Sequence, residues 1–323
     1  MWSTQTSVVF PLSAVKPLEG LLRYRAHCLA AMQQGRSEFT RRREHCPADG
    51  ARLEREGEVE GFGYGRCPQD GSLFLEMVPA PKVWAELLAY VSELRHSPAA
   101  FHAGLVQSRT DHVYAPKLEW IRDTLRVQGI DHPTLLEAIS PPSPFTQLLQ
   151  DSGICSAVLA LEEMALAHAT GTLRPDPSVE GAVLLESLDR VDDPLGVLQG
   201  VADRLRPGGL IFLTALVASG FDMTALGLHN QYLYPPDRTN CFSLQGLSML
   251  VQRAGFTLLE VSTPGVLDVE VVQAHRRYDS TLRFSAFERQ VLDADEETRS
   301  AFQAFLQQRG LSSFARIVGR KLA

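Results

Sequence analysis

The alternation of short apolar runs with amphipathic stretches, from about residue 133 onward, constrains the fold of this chain more than any other feature. The runs "SAVLALE" and "GAVLLESL" each precede a longer segment, and "DPLGVLQGVADRLRPGG" has the clearest helical spacing. Strands that alternate with helices build a mostly parallel sheet that helices cover on both faces. The sequence therefore predicts an α/β fold with a mostly parallel sheet. Ligands of such sheets bind beyond the carboxyl ends of the strands.

Composition and charge exclude several classes of protein. Hydrophobic residues make up 45% and charged residues 21% of the 323 residues, the balance of a globular protein. The formal net charge of −7 offers no general attraction to nucleic acid, so we expect no nucleic-acid partner. The five cysteines are scattered and odd in number, which fits a reducing compartment. The longest apolar stretch, "GGLIFLTALVASGF", is too short to span a membrane, so we expect a cytoplasmic protein without a transmembrane segment.

Upstream of the alternating half, the composition changes twice. Apolar residues of "LEGLLRYRAHCLAAMQQ" recur at helical spacing, whereas "HCPADGARLEREGEVEGFGYGRCPQDGSLF" is rich in glycine and turn residues. Helical patterns return in "VWAELLAYVSELRH" and "KLEWIRDTLRVQ". We expect four segments, namely an N-terminal helical extension (1–45), a small ribbon-like module (46–80), a helical linker (81–131) and the α/β domain (132–323).

Several stretches of the second half resemble class I methyltransferases that use S-adenosylmethionine. "DRLRPGGLIFLT" is similar to their helix, Gly-Gly turn and fifth strand, and "SLQGLSMLVQRAGF" with "LLEVSTPG" is similar to the next helix and strand. "YLYPPDRTNCFS" and "LSSFARIVGRK" extend the resemblance, over roughly residues 46–323, to a bacterial subgroup often linked to cell-surface saccharide biosynthesis. That subgroup joins an N-terminal zinc ribbon to the methyltransferase domain. The resemblance implies a Rossmann-like class I methyltransferase sheet.

The stretch "LLEAISPPSPFTQLL" departs from the family at its cofactor loop. In the family, the first strand ends in an acid, here Glu137, and enters a loop with three glycines. The three positions hold Ile139, Pro141 and Ser143. Proline fixes φ near about −65° and lacks an N–H, and a β-branched residue resists positive φ. We therefore expect a degenerate cofactor site and no cofactor. A remodelled loop that still binds S-adenosylmethionine is the alternative.

The segment after the second strand departs in the same direction. The resemblance places Glu162, at the end of "SAVLALE", where family members hold the ribose hydroxyls. Only "EMALAHATGTLRPDPSVE" separates it from the next strand, which is too short for a helix, a strand and two connections. We expect the edge strand and the adenine-reading loop to be reduced or absent.

The ribbon-like module lacks the usual zinc ligands. A zinc ribbon has two Cys-x-x-Cys knuckles because tetrahedral zinc takes four ligands. Here the knuckles read "CPADG" and "CPQDG", so each pairs one cysteine with one aspartate. We expect no bound metal. The candidate ligands, if a metal does bind, are Cys46, Asp49, Cys67 and Asp70, and His45 and His96 are possible substitutes.

The loop "HNQYLYPPDRTNC" follows the fifth strand, where this fold places substrate. Its candidate binding residues are His229, Tyr232, Tyr234, Asp237 and Arg238. His229 is the candidate general base if the protein is active. A loop that is simply packed by its tyrosines is the alternative. Arg190 stands where many relatives carry histidine, and an arginine cannot act as a general base.

These departures favour a methyltransferase-fold protein with a degenerate S-adenosylmethionine site. We expect a non-catalytic accessory or structural subunit that acts through contacts with a protein partner. Two alternatives remain open. One is an active S-adenosylmethionine-dependent methyltransferase on a saccharide or nucleotide-sugar substrate, and the other is a saccharide- or nucleotide-binding module without catalysis.

Overall fold

The computed structural model describes residues 10–95, 97, 100, 104–137, 144–160 and 178–322. The strands in chain order are β1 (Arg41–Arg42), β2 (Glu54–Val59), β3 (Phe62–Arg66), β4 (Leu73–Leu75), β5 (Met77–Val78), β6 (Thr134–Glu137), β7 (Ala157–Ala160), β8 (Val179–Leu185), β9 (Leu210–Leu216), β10 (Asn240–Cys241), β11 (Phe256–Ser262) and β12 (Phe314–Lys321). The α-helices are α1 (Leu12–Val15), α2 (Leu18–Gln34), α3 (Pro81–Arg95), α4 (Val106–Arg109), α5 (Ala115–Val127), α6 (Pro144–Asp151), α7 (Pro194–Arg204), α8 (Phe221–Leu226), α9 (Leu244–Arg253), α10 (Asp268–Tyr278), α11 (Ala286–Asp293) and α12 (Glu296–Gln308). A π-helical turn (Thr110–Tyr114) joins α4 to α5.

The main sheet has the strand order β11-β12-β9-β8-β6-β7. Strands β7, β6, β8 and β9 are parallel, and β12 runs antiparallel to both of its neighbours, β9 and β11. The chain turns from β6 to β7 on one side and then crosses to β8 on the other side. This reversal makes the carboxyl ends of β6 and β8 a topological switch point, where α/β sheets bind ligands. The predicted α/β, Rossmann-like sheet is confirmed.

Helices pack on both faces of this sheet because its strands carry apolar side chains on both sides. Leu136 belongs to the core beneath α7 and α9, whereas its neighbour Leu135 belongs to the core beneath α5 and α6. All seven residues of β9 are buried, as expected for a central strand that is covered on both faces. Local signals also define the helix starts. Ser243, for example, accepts a hydrogen bond from the backbone N–H of Gly246 at the start of α9.

The ribbon-like module is joined to the α/β part by main-chain hydrogen bonds. Strands β2, β3 and β4 form a sheet whose fourth strand is β10, and Asn240 pairs with Phe74 across the junction. Phe74 also belongs to the core beneath α7 and α9. The expected segment 46–80 therefore shares both a sheet and a core with the segment 132–323.

In the part of the chain that is described, the main sheet ends at the edge strand β7. The predicted reduction of the next edge strand falls on residues 161–177, which lie outside the described residues. Each helix within the described ranges is too short or too polar to cross a lipid bilayer.

Candidate functional site

A cavity of about 170 Å³, here called the switch-point cavity, lies at the carboxyl end of β8 and the start of α6. Leu185 and Glu186 contribute from the end of β8, and Pro144 and Phe145 contribute from α6. Cationic side chains dominate its polar lining. They are Lys16, Arg95, Arg109, Lys117, Arg190 and Arg238. Glu186 and Asp237 are the acidic residues of the same lining.

Asp237 is the centre of a buried network in this cavity. Its carboxylate accepts hydrogen bonds from Arg190 Nε at 3.1 Å, from Tyr234 Oη at 2.8 Å and from Arg95. Burial alone would raise the pKa of Asp237, but Arg95 and Arg190 together hold that pKa well below its usual range. The carboxylate is therefore ionised and fixes the guanidinium groups in place. Trp84 extends the network, since its indole N–H donates to the carbonyl of Arg190 at 2.9 Å.

Glu186 forms a second buried ion cluster directly after β8. Its backbone has a φ of 54°, a left-handed conformation that turns the chain sharply at the strand end. Its carboxylate lies 3.5 Å from Lys117 Nζ and 3.1 Å from a terminal nitrogen of Arg238. Arg238 also lies 3.3 Å from Asp189. The carboxyl edge of β8 is thus occupied by ion pairs between protein side chains.

The N-terminal segment covers this edge. The Tyr232 hydroxyl donates to the carbonyl of Lys16 at 3.0 Å, and Lys16 Nζ lies 5.4 Å from the centre of the Tyr232 ring. Arg109 donates to the carbonyl of Val15 at 2.9 Å. Segments that are far apart in the sequence therefore cover the carboxyl edge of β8 together.

A larger cavity of about 400 Å³, here called the outer cavity, adjoins the first. It lies between α5, the loop before α10 and the start of β12. The two cavities share five lining residues, which are Lys16, Arg109, Lys117, Glu186 and Tyr232. Most of the outer lining is apolar, and Arg316 contributes a further cation.

The structure brings together most of the predicted substrate-side loop. Tyr232, Tyr234, Asp237 and Arg238 are buried, and all four line the switch-point cavity. His229 is exposed and lies outside the linings of both cavities, so the geometry gives no support to its predicted role as a general base. Tyr234 and Asp237 are bonded to each other, which agrees with a loop that is packed by its own side chains.

The predicted cofactor positions are described only in part. Glu137 is buried at the end of β6, where the resemblance places it. The other predicted cofactor positions lie outside the described residues; they are Ile139, Pro141, Ser143 and Glu162.

The two knuckles of the ribbon-like module do converge. One ligand atom from each of Cys46, Asp49, Cys67 and Asp70 lies within 4.8 Å of the others. The contacts are crossed, because Cys46 Sγ donates to Asp70 at 3.7 Å and Cys67 Sγ donates to Asp49 at 3.3 Å. His45 is exposed, and His96 lies outside the described residues.

The spacing of these four groups suits a tetrahedral cation, but their chemistry does not suit structural zinc. Burial raises the pKa of both thiols, and each thiol donates to the aspartate of the other knuckle. The second carboxylate oxygens are also engaged, since Asp49 accepts from the N–H of Ala51 and Asp70 accepts from that of Ser72. Structural zinc sites favour thiolate and imidazole ligands. As they stand, the four residues satisfy one another and do not fit a structural zinc ion.

The interpretation of the sequence missed Lys117 and Arg316. Lys117 lies on the same face of α5 as Ile121 and Leu125, at spacings of four and eight residues, and all three are buried. A lysine within an apolar stripe was a usable signal. Arg316 interrupts the apolar run "FARIV", which was a weaker signal of the same kind.

Residues 125–261 match a family model described as a methyltransferase domain. This part of the chain, which is less than half of its length, is therefore similar to methyltransferase domains. The match begins within α5 and ends within β11, so it spans the switch point. No curated protein matches the sequence.

Solved methyltransferase structures align with the chain at low similarity. A putative sarcosine dimethylglycine methyltransferase from Galdieria sulphuraria is 16% identical, with 64% of this chain and 86% of that chain covered and a TM-score of 0.39. A possible histamine N-methyltransferase from Thermotoga maritima is 15% identical, with coverages of 74% and 99% and a TM-score of 0.40. The 1,6-didemethyltoxoflavin-N1-methyltransferase from Burkholderia thailandensis, solved with S-adenosylhomocysteine, is 12% identical, with coverages of 84% and 100% and a TM-score of 0.42. Such similarity assigns no substrate to this chain.

Proposed function

We propose that this protein is a methyltransferase-fold protein with a degenerate S-adenosylmethionine site. It acts as a non-catalytic accessory or structural subunit through contacts with a protein partner. The observation that carries this proposal is the switch-point cavity, because the cavity is small and its lining is strongly cationic.

The volume of the switch-point cavity, taken without the adjoining outer cavity, is small for the cofactor. Small-molecule sites usually enclose roughly 300–1,000 Å³, whereas the switch-point cavity encloses about 170 Å³. S-adenosylmethionine carries an adenosine and a methionine part, and both need room. The side chains of the Asp237 network and of Glu186 take up the carboxyl edge of β8.

The charge of the lining also disfavours the cofactor, because its sulfonium group is a cation. Six cationic residues face two carboxylates, and Asp237 and Glu186 are already engaged with Arg190, Arg238 and Lys117. Two like charges about 5 Å apart repel by about 3 kcal/mol at an effective dielectric constant of 20. Even one unbalanced cation at this distance would weaken binding of the sulfonium group by about two orders of magnitude.

Exposed aromatic side chains support a role in protein contacts. Phe287 on α11 is 60% exposed and Phe305 on α12 is 46% exposed. Both rings pack beside Phe302, with centroid distances of 5.9 Å and 6.2 Å. Aromatic residues that remain accessible in a cluster are typical of binding surfaces.

Calorimetric titration with S-adenosylmethionine and S-adenosylhomocysteine tests the cofactor part of the proposal. We expect Kd values no tighter than about 1 mM, which corresponds to about −4 kcal/mol. S-adenosylhomocysteine lacks the sulfonium charge, so it isolates the effect of cavity volume from that of repulsion. Micromolar binding of either compound would contradict the proposal and favour an active enzyme.

The accessory role is tested on the aromatic cluster. We expect a defined complex with a partner to be lost in a Phe287→Ser, Phe305→Ser double variant and kept in Val127→Ser, which alters a more exposed apolar residue at the end of α5. Size-exclusion chromatography with light scattering measures the complex. A complex that survives the double variant unchanged would contradict the assigned surface.

A further inference from the structure

The outer cavity combines an apolar body with a cluster of cations. Its volume of about 400 Å³ lies within the range of small-molecule sites. Apolar groups from three parts of the chain line it, among them Val15, Leu216 and Phe314. Its cationic residues are Lys16, Arg109, Lys117 and Arg316. A cavity with this lining suits a ligand that has an apolar part and a charged end.

Arg316 is a buried cation without a salt bridge among the described residues. Its side chain is on β12, the residue is only 6% exposed, and its buried Nε has no hydrogen-bond partner. The guanidinium carbon lies 5.2 Å from the centre of the Trp120 ring. Glu260 acts on it electrostatically, but the Glu260 carboxylate accepts hydrogen bonds from Trp120 at 2.9 Å and Ser262 at 2.7 Å. A buried charge is normally paired with an opposite charge, so a bound anion would stabilise Arg316 in this position.

Lys16, in the N-terminal segment, is a second cation without a salt bridge among the described residues, and it is half-buried. Its Nζ makes no hydrogen bond or ion pair within the described ranges and lies over the Tyr232 ring. The charges of Lys16, Arg109 and Arg316 all act on Lys117, so the four cations surround one region. Burial lowers the pKa of Lys117 to about 8 and lowers that of Lys16 as well. A bound anion would raise the pKa of both amines.

Four acids also line the cavity, but none of them forms a salt bridge with Arg316 or Lys16 among the described residues. Glu186 is shared between Lys117 and Arg238. Asp268 is enclosed by hydrogen bonds from Ser312, Ser313 and Gln303. Burial and the neighbouring Asp268 raise the pKa of Asp222 to about 7, so this carboxyl group is partly neutral at physiological pH. Asp111, the fourth acid, is exposed and accepts a hydrogen bond from Gln107. Arg316 and Lys16 therefore remain without a salt bridge to any acid of the described lining.

We propose that the outer cavity binds a small apolar molecule that ends in an anionic group, with Arg316, Lys117 and Lys16 as the residues that hold the anion. The site goes beyond the proposed function, because it requires neither S-adenosylmethionine nor methyl transfer. A carboxylate and a phosphate share the necessary charge, and the apolar lining accepts an aromatic or aliphatic body.

A matched series of naphthalene compounds tests the site on the full chain. The series is 2-naphthoate, 2-naphthyl phosphate and the neutral 2-naphthylmethanol, titrated by calorimetry. We expect at least one anion to bind at least tenfold more tightly than the alcohol, a difference of about 1.4 kcal/mol. The better anion identifies the head group as carboxylate or phosphate. Failure of both anions to bind better than the alcohol overturns the proposal.

Substitution of Arg316 separates charge from packing. Arg316→Met keeps a long apolar stem, and removal of an unpaired buried charge is usually tolerated by the fold. We expect at least a tenfold loss of anion affinity and less than a twofold change for the alcohol. Arg320→Met is the control, because Arg320 lies on the same strand, bonds to Gln128 and lies outside the cavity lining. If Arg316→Met does not fold, Lys16→Met replaces it, with the same loss expected. Unchanged anion affinity overturns the proposal, whereas tight S-adenosylmethionine binding would contradict only the proposed function.

Discussion

Replacement of Asp237 by asparagine tests whether the network of the switch-point cavity holds the carboxyl edge of the sheet together. Asp237 is 6% exposed and accepts hydrogen bonds from Arg95, Arg190 and Tyr234. Asparagine keeps the size of the side chain but removes its charge, which leaves two partly buried guanidinium groups, those of Arg95 and Arg190, without their counter-ion. Loss of one partner of a buried ion pair typically costs about 3–5 kcal/mol. We expect the asparagine variant to lose about 3 kcal/mol, because its amide oxygen still accepts one hydrogen bond.

Urea unfolding followed by tryptophan fluorescence measures this loss. With a slope of about 1–3 kcal/mol per molar urea, a loss of about 3 kcal/mol lowers the midpoint by about 1–3 M. Trp84 donates to the Arg190 carbonyl and therefore reports on the network itself. Asp123→Asn is the matched control, since Asp123 pairs with Arg126 at 2.9 Å on the exposed surface. Exposed pairs contribute about 0–1 kcal/mol.

The pH dependence of the unfolding free energy tests the network independently, because its direction follows from the pKa shift of Asp237. The folded-state pKa of Asp237 lies below its unfolded value, so its stabilisation is present above the unfolded pKa of about 4. The stabilisation is lost as the pH falls through the folded value. The difference in unfolding free energy between the wild type and the variant should therefore shrink below about pH 4. A variant that loses less than about 1 kcal/mol at pH 7, like the control, would refute the assigned role of the network.

Three further predictions concern the metal, the cofactor loop and the buried lysine. The thiols and carboxylates of the knuckles satisfy one another, so we expect substoichiometric zinc by elemental analysis after dialysis; one zinc per chain that is lost in Cys46→Ser would contradict this. The triple variant Ile139→Gly, Pro141→Gly, Ser143→Gly of the cofactor loop should not bind S-adenosylmethionine in calorimetry. We expect it to be destabilised by about 0.4–1 kcal/mol per site. Tight binding at an unchanged Tm would show that the adenine region is complete. The folded-state pKa of Lys117, about 8, lies below its unfolded value, so stability should rise relative to a Lys117→Met variant between about pH 8 and 10, by up to about 3 kcal/mol. A parallel pH dependence of the two proteins in thermal unfolding would argue against a buried lysine with a lowered pKa.

The α/β fold was predictable because its signals are local. The runs that became β8 and β9 are continuous and apolar, and Asp193 and Ser243 mark the starts of α7 and α9. The substrate-side loop was predictable only through the resemblance. Its two tyrosines line the switch-point cavity, whereas His229 is exposed outside it.

The remaining features depend on contacts that no local pattern encodes. Asp237 meets Arg95 across a separation of 142 residues, and β10 adds a fourth strand to a sheet that begins at β2. The crossed thiol–carboxylate contacts likewise depend on how two turns face each other. Such pairings are decided by tertiary packing, so residue spacing alone does not reveal them.

The position of β12 has a consequence for how the protein is made. This strand lies between β9 and β11, yet it is synthesised after both of them. Until residues 314–321 have left the ribosome, β9 and β11 have no partner on their facing sides, and each presents unpaired N–H and carbonyl groups. The parallel part of the sheet can form earlier, but its completion must wait for this late strand. A nascent chain that stalls after α12 would therefore expose two strand edges, which makes it a natural client for chaperones.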